Sequence, residues 1–108
     1  MVIKAAARRA QFAESKMGKV TLAQGEKLYA GLNCFLAGQE HRAHVHADQD
    51  KMYVVLEGRG EAGVGGEISQ VEPGDVVFAA AGVEHGLRNT SDAPLVVLVV
   101  FGPPPVGK

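Results

Sequence analysis

Fourteen glycines and five prolines interrupt this 108-residue chain at close intervals. Glycine and proline both weaken a helix interior, so a chain cut this often is poorly suited to long helices. Short strands joined by tight turns satisfy the same punctuation, which predicts an all-β sandwich or barrel. The candidate strands are residues 20–22, 27–37, 52–57, 61–64, 67–71, 75–80, 86–89 and 95–101. Glu57-Gly58-Arg59-Gly60 and Gly65-Gly66 read as turns that need positive φ, and Glu72-Pro73-Gly74-Asp75 as a turn opened by proline. Leu95–Phe101 is apolar on both faces, so it must be covered by the barrel interior on one side. The N-terminal strand, another sheet or a partner chain covers the other side. Residues 1–16 read as a short helix or an arm. Pro103-Pro104-Pro105 ends regular structure, leaving 102–108 as a flexible tail.

The length suits one domain, 1–108, built around a single core. A formal net charge of −1 gives no electrostatic footprint for nucleic acid or an anionic membrane. No apolar run approaches the roughly 18 residues of a membrane span, and the first residues lack the apolar stretch of a secretory signal. The single cysteine, Cys34, excludes an intrachain disulfide and fits a reducing compartment, so a cytoplasmic location is expected. Cys34 lies in an apolar run, as a buried thiol does. Phosphate-cradling and dinucleotide glycine motifs are absent, and none of the three serines stands beside a histidine. Nucleophilic hydrolase chemistry is therefore not expected.

Chemistry concentrates in the histidines. His44 and His46 are spaced i, i+2, which puts them on one face of an extended strand. His85 follows an intervening apolar segment, on what reads as another strand. Three imidazoles gathered across a sheet make a facial metal site, because neutral histidine is the commonest transition-metal ligand. His41, three residues before His44, falls on the opposite face by parity and reads as an exposed loop position.

These residues resemble the cupin family of small double-stranded β-helix (jelly-roll) barrels. In the first family motif, Gly38, His44, His46 and Gly58 stand in register. In the second, Gly74, Gly82, His85 and Asn89 match, with Ala80 in place of a proline. Asn89 is also a residue type that satisfies turn backbone groups with its own amide. The two motifs span residues 38–89, and the strand pattern extends the likeness over most of the chain. The resemblance implies a six- to eight-stranded antiparallel barrel in which His44, His46 and His85 hold a divalent Fe, Mn, Ni, Zn or Co ion. It also places a fourth ligand, a glutamate, six residues before Gly58, and there this chain has Lys51. An ammonium group cannot coordinate and repels a cation. Three arrangements follow: a three-histidine site with open positions, one completed by Asp50 or Gln49, or a metal-poor pocket with Lys51 inside. If Lys51 faces the cavity, Asp50 faces out unless a bulge intervenes. Tyr53 shares Lys51's parity and brings a phenol near the site, although a core aromatic with a satisfied hydroxyl is its ordinary role. Phe35, Phe78 and Phe101 read as core.

The family's range includes dioxygenases, isomerases, decarboxylases and lyases alongside sugar-binding and regulatory domains. The expected function is accordingly a metal-binding barrel that acts on a small polar metabolite. The alternative is a non-catalytic binding module for a sugar or carboxylate, with Lys51 pairing a substrate anion. A homodimer is expected, because open sheet edges and the doubly apolar 95–101 strand favour covering by a second copy.

Overall fold

A computed structural model of the chain describes residues 1–104. Nine strands fill it: β1 (Gly18–Gln24), β2 (Tyr29–Phe35), β3 (Glu40–His44), β4 (Asp50–Glu57), β5 (Gly60–Val64), β6 (Glu67–Val71), β7 (Val76–Ala79), β8 (His85–Arg88) and β9 (Leu95–Gly102). They form two antiparallel sheets, ordered β1-β2-β9-β4-β7 and β3-β8-β5-β6. The all-β expectation holds, with one strand more than the largest number expected. The addition is β3, whose residues Glu40-His41-Arg42-Ala43-His44 carry too little apolar pattern to stand among the candidate strands and are marked as extended only by the His44/His46 spacing. Pairing with β8 makes it one.

Between the sheets lies the main core. Strand alternation supplies it: Leu95, Val97 and Val99 of β9 and Tyr53 and Val55 of β4 all point inward. Burying each such side chain is worth roughly 1.5–3 kcal/mol relative to leaving it exposed. The other face of β9 is covered from within the chain. Val96 joins Leu32 and Cys34 in a second apolar cluster, over which Ala7 and Ala10 are laid. The N-terminal segment thus contains one short 3₁₀ turn, Ala6–Arg9, and serves as a cover for that end of the outer face.

Two expectations need correction. Phe78 is not core: it sits on edge strand β7, more than half exposed, because its parity turns it to the outer face. The last strand also runs one residue beyond the expected 95–101. Gly102 is the last residue of β9, and the Pro103 carbonyl accepts a 2.7 Å hydrogen bond from Gln49 Nε2. The tail's remaining residues, 105–108, lie outside the described residues. Asn89 behaves as its type predicts. Fully buried, it donates from Nδ2 to the carbonyls of Phe35 and Ala93 and accepts at Oδ1 from the Ser91 amide and hydroxyl.

Candidate metal centre

Two strand ends and one loop bring the three histidines together. His44 is the last residue of β3 and His85 the first of β8, and the two are direct cross-strand partners. Their rings lie 4.3 Å apart, centroid to centroid. His46 does not share an extended strand with His44, as the i, i+2 spacing suggested, because β3 ends at His44. A hydrogen bond of 2.9 Å from the Gly82 amide to the His46 carbonyl holds this loop against the turn before β8. Gly82 has φ +84°, a conformation that glycine adopts without a Cβ penalty. The result still converges, with the His46 ring 4.7 Å from that of His44 and 5.7 Å from that of His85. One ring nitrogen from each of the three lies within 4.8 Å of the others.

Backbone carbonyls orient two of these rings. His44 Nδ1 lies 2.7 Å from the Arg42 carbonyl, and His85 Nδ1 lies 2.9 Å from that of Val83. A carbonyl only accepts, so each Nδ1 carries the proton and each Nε2 keeps its lone pair. His85 Nε2 is buried without a hydrogen-bond partner. A buried, unsatisfied acceptor aimed at two other imidazoles suits an electrophile between them, and a hydrogen bond from the remote ring nitrogen is how metal-binding histidines are aligned. Burial pushes the pKa values of His44, His46 and His85 below the usual imidazole value, and the Lys51 charge pushes the same way. The ligand-competent neutral form is thereby favoured. Three neutral nitrogen donors fit a divalent transition-metal ion.

Lys51 stands inside the barrel, only 5% exposed. Its Nζ is 3.4 Å from His44 Nε2, the atom a metal would use. It also lies 5.4 Å from the Phe101 ring centroid and 5.5 Å from that of Tyr53. Burial, then the positive charge of Lys19, lowers its pKa to about 8. Asp50 and Gln49 do not complete the histidine cluster. Asp50 points to the opposite side of β4 and accepts a 2.9 Å hydrogen bond at Oδ1 from the Ala81 amide. Gln49 is engaged with Pro103.

His41 overturns its parity argument. A register irregularity between His41 and His44 breaks the alternation of β3, and the two rings pack 4.2 Å apart. His41 is half-buried rather than an exposed loop residue, and its Nδ1 is enclosed without a partner. Burial first, then the charges of His44 and Lys51, lower its pKa to about 3. Tyr53 departs from its expected role as well. It is fully buried, but its hydroxyl has no partner among the described residues, and burial raises its pKa. Its ring lies 6.2 Å from that of His85. Beside the cluster, a cavity of about 250 Å³ opens between Lys51, His41, the Tyr29–Phe101 stack and the β1–β2 end of the sheet.

Comparison with known proteins places these features in context. The family described as "Cupin domain" matches residues 31–101. An uncharacterised protein of Streptomyces coelicolor, SCO3923, is 45% identical over 74 residues, which cover 68% of this chain and 69% of that one. The crystal structure of TT1209 from Thermus thermophilus aligns at a TM-score of 0.92 with 41% identity, covering 97% of this chain and 100% of that one. An RmlC-like cupin from Desulfovibrio desulfuricans aligns at 0.85 with 28% identity, covering 97% and 99% of the two chains.

Proposed function

This chain belongs to the cupin family, and from that premise we propose that His44, His46 and His85 hold one divalent transition-metal ion, whose open positions receive a small polar metabolite. The observation that carries this reading is the convergence of three ring nitrogens within 4.8 Å, two of the rings held by carbonyl bonds at Nδ1. A bound Fe, Mn, Ni, Zn or Co ion would supply a Lewis acid that polarises a carbonyl or carboxylate. The chain's own residues set the surroundings. Tyr53, Val97 and Val99 belong to the apolar core between the sheets, and Lys51 brings a positive charge to 3.4 Å from His44 Nε2. Such a site suits an enzyme of the dioxygenase, isomerase or lyase kind. The buried free thiol of Cys34 is compatible with a cytoplasmic place for it.

Metal analysis of protein purified without a nickel column tests the reading, with about one ion per chain expected. Added metal should raise the melting temperature of the wild type, because a ligand of the folded state stabilises it by mass action. His46→Ala removes one of three donors and should abolish the shift; equal shifts in both proteins would exclude His46 as a ligand. A second reading is favoured by the 3.4 Å approach of Lys51 to His44 Nε2, where a cation would otherwise sit. In it, the barrel is a metal-free binding module for a small sugar or carboxylate. Metal content near zero, unchanged after incubation with Fe, Mn or Zn, selects this second reading.

A further inference from the structure

The cavity beside the histidine cluster has a charge imbalance that the metal reading does not use. Lys19 of β1, Asn33 of β2 and Lys51 of β4 all line it, together with His41. No acidic side chain is among its lining residues. The one ion pair among the described residues, Arg42 with Glu40, is elsewhere, so neither lysine has a carboxylate within 4.0 Å. Lys51 is 5% exposed and Asn33 4%, so both polar groups are held inside the barrel and not in solvent. Lys19 and Asn33 are direct cross-strand partners, which brings ammonium and carboxamide to the same face. Lys51 stands one strand beyond β9 and is within reach of the Lys19 field. Two cations beside one small cavity repel each other, and the buried one has lost hydration, a cost that a bound anion reverses.

The rest of the lining determines what kind of anion fits. Tyr29 and Phe101 stack with centroids 4.5 Å apart, and Val99 continues the apolar wall. The Tyr29 hydroxyl is already engaged with Thr21 Oγ1 at 2.9 Å, so this side presents mainly carbon. A volume of about 250 Å³ lies just below the usual range of small-molecule pockets. A monoanion with a flat apolar body matches both halves better than a compact, fully hydrated dianion.

We propose that this cavity binds a small organic carboxylate, the carboxylate lying between Lys19 and Lys51 with Asn33 as a neutral donor, and the apolar body against Tyr29 and Phe101. The proposal names the ligand class of the barrel read above as binding a small polar metabolite, and it does not require the metal.

Calorimetric titration of chelator-treated, metal-free protein tests it with three probes: benzoate, its neutral isostere benzamide, and inorganic phosphate. Benzoate should bind saturably, with benzamide and phosphate each at least about tenfold weaker. Lys51→Met and Lys19→Met should each weaken benzoate at least about fivefold and leave benzamide unchanged. Lys19 is exposed on an edge strand, so its variant keeps the test valid if Lys51→Met does not fold. With the wild-type protein, three results overturn the proposal: no saturable benzoate binding, benzamide equal to benzoate, or phosphate tighter than benzoate. Wild-type benzoate affinity in Lys19→Met would do the same. Because the protein carries no metal in this experiment, a failure here leaves the three-histidine reading standing, and a failed metal analysis leaves this proposal standing.

Discussion

Residue 51 decides how tightly the three histidines can hold an ion. Its side chain points to the barrel interior, so a carboxylate placed there would arrive beside His44 Nε2 and remove a repelling ammonium in the same change. Lys51→Glu should therefore tighten Mn or Zn binding by at least about tenfold, roughly 1.4 kcal/mol. Asp50→Ala should leave metal affinity unchanged, since the Asp50 carboxylate is turned to the Ala81 amide on the far side of the strand. Titrating both variants checks the pair. Weakened binding in Asp50→Ala would mean that the loop before β4 turns Asp50 inward when metal binds.

At the scale of elements, the β3–β8 pair sets the spacing of the site. Gly86 follows His85, and a Cβ there would come within 2.8 Å of the His41 carbonyl oxygen and 2.9 Å of the Ala43 nitrogen. Both are backbone atoms, so β3 itself must move. Gly86→Ala should cost about 1–3 kcal/mol, as overpacking does, and should weaken metal binding by displacing His44 from His85. At Gly63, its cross-strand partner on β5, an added methyl would meet nothing within 4 Å, so Gly63→Ala should be close to neutral. Denaturant unfolding and metal titration of the two variants check this. Equal behaviour would show that β3 yields without cost. The same pair explains what was not legible in the chain: the irregularity that brings His41 onto His44 leaves no sequence signature, because a bulge arises from how two strands pair.

For the whole molecule, the outer face of the five-stranded sheet is apolar beyond the reach of the N-terminal cover. Val76 is 59% exposed and Phe78 58%, on an edge strand beside the half-buried Met52 and Val54. Exposed apolar surface on an edge strand favours covering by another chain. We expect a homodimer in which a second copy covers this face. Sedimentation at micromolar concentration should give a mass of two chains for the wild type and one for Phe78→Glu. A single-chain mass for the wild type would count against it.

Glycine spacing and apolar alternation in the chain alone determined an all-β barrel and eight of its nine strands, while the spacing of the histidines and their resemblance to the cupin motifs singled out His44, His46 and His85 as the candidate ligand set. Those signals are local: a turn needs its glycine, and a strand face repeats every second residue. The tertiary structure decided everything that depends on which strand lies beside which. It made β3 a strand by pairing it with β8, placed His46 on a loop, brought His41 to the site and left Asp50 outside it. It also joined Lys19, Asn33 and Lys51, far apart in the chain, around one cavity. Parity along one strand tells which side chains share a face, but only the packing of two sheets tells what that face meets.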